Sequence, residues 1–94
     1  MNIIKVPGKN KTHKVLLYAL NTCPWCKKTK KFLLDNNVEY EYVDVDLCSD
    51  EDHEKVRNDI IRRGATPSYP LIIVDGKILI TGYSPDEILE ALGI

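Results

Sequence analysis

Lys14-Val15-Leu16-Leu17-Tyr18-Ala19-Leu20 is followed at once by Asn21-Thr22 and then by Cys23-Pro24-Trp25-Cys26. A short apolar run containing Val and Tyr reads as a buried strand, and Asn21-Thr22 breaks it. Pro24 suits the first position of a helix, where its missing N–H would be unpaired anyway. Trp25, Thr29, Phe32 and Leu33 then recur at i, i+4, i+7 and i+8, a helical stripe with lysines opposite, and Asn36-Asn37 closes the helix. A strand thus ends just before the cysteine pair, and a helix begins inside it.

Val38 to Val45 reads as the second strand. Its alternation slips phase, with Val38, Tyr40 and Tyr42 on one face and Val43 and Val45 on the other. A bulge, or burial of both faces, would explain that. Ser49 with Asp52 resembles a helix N-cap box, and the helix after it carries Val56, Ile60 and Ile61 inward before Gly64 stops it. Leu71–Val74 and Lys77–Thr81 flank Asp75-Gly76, a strong hairpin signal. Ser84-Pro85-Asp86-Glu87 opens a last helix with Ser84 as N-cap and Ile88, Leu89 and Leu92 as its buried stripe.

The order βαβ, α, β-hairpin, α predicts an α/β fold. The first two strands are parallel through a right-handed crossover, in a four-stranded mixed sheet with helices on both faces. This domain spans residues 13–94. Residues 1–12 form an N-terminal extension, in which Asn2–Val6 is either loop or a short edge strand ended by Pro7-Gly8.

The chain has 94 residues, 44% of them hydrophobic, enough for one small core. That leaves little room for a large pocket, so no tightly bound cofactor is expected, and the protein is expected to be a monomer. The net charge of −1 argues against nucleic acid, which normally needs a basic stripe. Lys27, Lys28, Lys30 and Lys31 cluster locally; they read as a solvated helix face or, more pointedly, as charges that attract an acidic partner and favour a thiolate nearby. The apolar run Val15–Leu20 is far shorter than the roughly 20 residues of a membrane span. No signal peptide is evident, so the expected setting is the cytoplasm, where thiols stay reduced. Three cysteines, an odd number, do not make a structural disulfide framework.

The position of Cys23 favours its thiolate. Unpaired N–H groups at the helix start point toward the sulfur, the helix dipole adds positive charge, and Lys27 lies one turn on. Cys26, three residues later and deeper, is placed to resolve the mixed disulfide that Cys23 forms, leaving a redox-active Cys23–Cys26 disulfide. The same spacing also serves structural zinc sites and shared iron–sulfur clusters. A zinc site usually needs a second ligand pair; the candidates are Cys48 with His53, or His13, and Cys48 and His53 are not at a usual paired spacing, so no metal site is assigned. Cys48 reads as a small filler.

Three segments together resemble the glutaredoxins, and among them the NrdH-type redoxins, over residues 13–94. They are Cys23-Pro24-Trp25-Cys26, then Ser68-Tyr69-Pro70-Leu71-Ile72-Ile73-Val74-Asp75-Gly76, then Thr81-Gly82-Tyr83-Ser84-Pro85-Asp86. The resemblance implies a thioredoxin fold and thiol–disulfide oxidoreductase activity. It implies a cis Pro70, with Tyr69, Pro70, Gly82, Tyr83 and Ser84 receiving the substrate and Thr22, Pro24, Trp25 and Lys27 supporting the cysteines. The partners it implies are a disulfide-containing client protein, with ribonucleotide reductase a candidate, and an upstream reductase. Members that use glutathione usually carry Gly-Gly in the third segment and often a Lys before the motif. This chain has Gly82-Tyr83 and Leu20 there, so glutathione stands as the alternative co-substrate.

Overall fold

The computed structural model describes residues 1–94. Its elements in order are β1 (Ile4–Val6), β2 (Val15–Ala19), α1 (Pro24–Asp35), β3 (Tyr40–Asp44), a 3-10 turn (Val45–Leu47), α2 (Asp50–Arg62), β4 (Leu71–Val74), β5 (Ile78–Thr81) and α3 (Pro85–Leu92). The sheet runs β1-β3-β2-β4-β5 and has five strands. The four-stranded expectation is corrected by β1, which pairs antiparallel with β3 through Ile4↔Tyr42 and Val6↔Tyr40. The extension is held further along by Asn10, whose N–H donates to the Asn37 carbonyl at 2.8 Å while its own carbonyl accepts from Glu39 at 2.9 Å.

β2 and β3 are parallel, as a helical crossover requires, and β4 is antiparallel to both β2 and β5. The sheet is covered on both faces. Leu17, Ala19, Val38, Tyr40, Ile72 and Val74 pack with Cys26 and Leu33 of α1 and with Ile88 and Leu92 of α3. Tyr18, Val43, Val45, Leu71 and Ile73 pack with Val56 and Ile60 of α2 on the other face. Burial of both faces therefore explains the phase slip in β3, and regular structure there starts at Tyr40 rather than Val38. Each fully buried aliphatic side chain contributes roughly 1.5–3 kcal/mol.

Three helix readings are corrected. Trp25 is 55% exposed. The buried side of α1 is Cys26, Thr29 and Leu33, an i, i+3, i+7 stripe. Ile61 is exposed, because Val56 and Ile60 already face the sheet and Ile61 lies about 100° further round α2. Ser49 does cap α2, its hydroxyl accepting from the Asp52 N–H at 3.2 Å. Ser84 precedes α3 without any side-chain cap bond, so Pro85 and the acidic Asp86 and Glu87 carry that helix start. No helix is long and apolar enough to cross a membrane.

Candidate active site

Four chain segments meet at one end of the sheet. β2 delivers its C-terminal end there, followed by Leu20, Asn21 and Thr22. β4 runs the other way, with Leu71 opposite Tyr18, so Pro70 stands level with the end of β2. Thr81 of β5 lies opposite Leu71, which sets Gly82 beside Pro70. The Gly82 N–H donates to the Pro70 carbonyl at 2.8 Å. The Tyr69–Pro70 peptide is cis. The start of α1 completes the group.

Cys23 is the N-cap of α1, in extended conformation, and its Sγ accepts the Cys26 N–H at 3.4 Å. Its own N–H donates to the Leu20 carbonyl at 3.2 Å, closing the turn before the helix. Asn21 steadies the same turn, its N–H donating to Asp46 Oδ1 at 2.8 Å. Cys26 is fully buried, and its Sγ accepts the Leu20 N–H at 3.4 Å. All three cysteines are free thiols.

The two sulfurs of the motif stand in opposite environments. Partial burial resists ionisation of Cys23, but hydrogen bonds from the Cys26 thiol and from the Cys26 and Trp25 N–H groups outweigh it. The Cys23 thiol is held below its ordinary value. Burial pushes the Cys26 thiol up to about 11; the Leu20 N–H and Lys30 oppose that, while its bond to Cys23 adds to it. Of the two thiols, Cys23 is therefore the one that ionises first as pH rises.

Trp25 lies on the surface beside the pair. Its ring stacks on Tyr83, centroids 6.0 Å apart and planes 29° from parallel, and Tyr83 meets Phe32 edge-on at 6.2 Å. Lys28 places its Nζ 4.5 Å from the Trp25 ring centroid. Thr22, Pro24 and Lys27 are exposed around the motif, while Tyr69 and Ser84 are partly buried. Hydrogen bonds, not Lys27, dominate the stabilisation of Cys23.

The lysine cluster is dispersed. Lys30 pairs with Asp44 at 2.8 Å and Lys31 with Asp35 at 2.8 Å. Sequence reading missed Phe32 and Asp44 as neighbours of the site, and it named Lys28 and Lys30 only as part of the lysine cluster, without their separate partners. The i, i+4 spacing of Cys26 and Lys30 was the available signal; nothing local marked Asp44.

The remaining candidate ligands stay apart. His13 is bonded to Asp75 at 2.7 Å at the β4–β5 turn, and His53 is exposed on α2. Cys48 packs against the α2-side core, its thiol donating to the Asp44 carbonyl at 3.6 Å. Burial, then the Asp52 carboxylate, pushes the Cys48 thiol up and so disfavours its thiolate.

Residues 15–79 match the glutaredoxin family profile. A glutaredoxin-like 8.6 kDa protein in a rubredoxin operon of Clostridium pasteurianum is 36% identical over 75 residues, which is 79% of this chain and 91% of that one. The crystal structure of the glutaredoxin from Methanosarcina mazei superposes with a TM-score of 0.88 at 37% identity, covering 98% of this chain and 88% of the other. The NrdH-redoxin of Escherichia coli shares the fold, with a TM-score of 0.62 at 22% identity over 82% of this chain and 92% of its own.

Proposed function

The chain belongs to the glutaredoxin family and is a thiol–disulfide oxidoreductase, and we propose that it is a dithiol reductant of protein disulfides in which Cys23 attacks and Cys26 resolves. The observation that carries this reading is the opposite setting of the two sulfurs. One is an N-cap acceptor of N–H groups, held toward the thiolate; the other is buried and held toward the thiol.

The cycle balances over two exchanges. Cys23 thiolate attacks one sulfur of a client disulfide, forming a Cys23–client bond and releasing the other client sulfur as thiolate, which takes a proton. Cys26 loses its proton and attacks Cys23 Sγ. The Cys23–Cys26 bond forms, the Cys23–client bond breaks, and the second client thiolate leaves and is protonated. Two electrons and two protons have passed to the client. An upstream reductase returns them.

Tyr69, Gly82, Tyr83 and Ser84, partly exposed beside the buried cis Pro70, would receive a client strand, with the exposed Thr22, Pro24, Trp25 and Lys27 of the motif flanking it. The Trp25–Tyr83 stack fills ground beside Cys23 with aromatic surface, and this favours a protein client and a flavin or iron–sulfur reductase over glutathione. Ribonucleotide reductase is the candidate client, on the likeness of Thr81-Gly82-Tyr83-Ser84-Pro85-Asp86 to the NrdH pattern. The reading includes a cytoplasmic monomer with no tightly bound cofactor.

Oxidised protein should be reduced by a thioredoxin-type reductase with its nicotinamide cofactor, and should then reduce a protein disulfide. Brisk turnover of a glutathione mixed disulfide by glutathione and its reductase, with no reduction by the thioredoxin-type enzyme, would assign glutathione as the reductant instead. Equal client reduction by wild type and Cys23→Ser would end the dithiol mechanism.

A further inference from the structure

The second exchange poses a chemical problem that the first does not. Cys26 must ionise to attack, yet it is buried. In the mixed disulfide Cys23 is bonded to the client and can no longer share charge with it. Some other group has to favour the anion, and one cationic side chain reaches this region.

Lys30 follows Cys26 by four residues on α1, so both project from the same side of the helix. It does not swing into solvent. Its Nζ donates to Asp44 Oδ1 at 2.8 Å, with the two side chains only 21% and 11% exposed. The same Nζ stands 4.0 Å from the Tyr42 ring centroid. Asp44 is the last residue of β3, in register with Ala19 of β2, and the next residue of that chain, Leu20, gives its N–H to Cys26 Sγ. Asp44 therefore ties Lys30 down at the sheet end where the Cys26 sulfur lies.

We propose that Lys30, tethered by Asp44, is a positioning residue for the resolving step: its ammonium favours the Cys26 thiolate that attacks Cys23 Sγ in the mixed disulfide. The inference rests on the assignment of Cys26 as resolving thiol. The titratable groups that act on Cys26 are Cys23 and Lys30 from α1, and Leu20 adds only its N–H. Those that face Lys30 are Asp44 and Tyr42 from β3. Once Cys23 is in a disulfide, Lys30 is the charge that remains. Cys23 is lowered by hydrogen bonds from Cys26 and Trp25, so the attacking step should depend on Lys30 less than the resolving step does.

The two steps separate with dithiobis-nitrobenzoate, used with protein in excess and followed by stopped-flow absorbance. Attack by Cys23 releases one coloured thiolate, and resolution by Cys26 releases the second. In Lys30→Met the first phase should be unchanged. The second should slow by about threefold or more at neutral pH, with the midpoint of its pH profile displaced upward. Lys30→Arg should restore the wild-type profile. Lys30→Gln, which keeps a polar end for Asp44, is read the same way should Lys30→Met fail to fold. An unmoved midpoint, or equal slowing of both phases, overturns the role of Lys30. Absence of the second phase in wild type would instead overturn the assignment of Cys26 itself.

Discussion

The Trp25 ring stacks on Tyr83 across the gap between the first turn of α1 and the loop before α3. The contact joins residues far apart in the chain and fastens the third sequence segment to the cysteine motif. Replacing Tyr83 by Ala should lower stability by about 1–2 kcal/mol, from the aromatic pair and its buried area. Trp25 is the only tryptophan, so its fluorescence should shift to the red in the folded variant. Urea denaturation followed by that emission checks both; unchanged emission would show that the rings do not hold one another in solution.

Reactivity at Cys23 should follow its hydrogen bonds. Alkylation of wild type by iodoacetamide should have a pH midpoint below that of an ordinary thiol, about 8.5. Cys26→Ala removes one donor and leaves the two N–H groups in place. The midpoint should then move up while staying below the free value. Because a higher midpoint means less thiolate at neutral pH, alkylation there should slow by about two- to tenfold. A midpoint that falls in Cys26→Ala would contradict the hydrogen-bond account.

Gly8 marks where the extension presses on the sheet. A Cβ there would lie 2.5 Å from the Asn37 carbonyl oxygen and 2.7 Å from the Glu39 nitrogen, both backbone atoms that cannot swing away. Gly8→Ala should destabilise the fold by about 1–3 kcal/mol. The contact is at the start of β3, and the cysteine motif follows the far end of the parallel β2. Cys23 alkylation should therefore be unaffected. Thermal melts beside alkylation rates test this, and a wild-type Tm would mean that the extension is not held as described.

Asp59 should make the fold sensitive to acid. Its carboxylate is partly desolvated, but bonds from Arg63, Tyr18 and Arg62 hold it below the usual carboxylate range. A depressed folded value contributes stability above the unfolded value, about 3.9, and loses it as pH falls through the folded value. The stability advantage of wild type over Asp59→Asn should accordingly shrink from neutral pH toward pH of about 3 and below. Tyr18→Phe deletes the 2.8 Å bond to Asp59 and should cost about 1 kcal/mol at neutral pH. Urea titrations across that range decide the matter; a constant gap would remove Asp59 from the acid response.

Much of the fold was legible because its signals are local. Pro24 after Cys23, Asp75-Gly76 between apolar runs and the Ser49 cap each fix a chain direction within a few residues. The misreadings came where two surfaces compete for one residue. Trp25 fits the helical period yet lies outside, since Cys26 and Thr29 occupy the buried side of that turn and Tyr83 offers the indole a partner on the surface. Ile61 yields to Ile60 in the same way. β1 was ambiguous because three residues pair only if an edge is there to receive them, and β3 supplies it.

Residue type and spacing by themselves determined the thiol pair, its place at a helix start, and the order of the main strands and helices. Those depend on neighbours in the chain. Tertiary structure alone decided that Asp44 pairs with Lys30, that Tyr83 stacks on Trp25, and that the Leu20 N–H reaches the buried sulfur. Each depends on strand register and on how α1 and the loop before α3 are set against the sheet, distances that no stretch of sequence specifies until the sheet has formed.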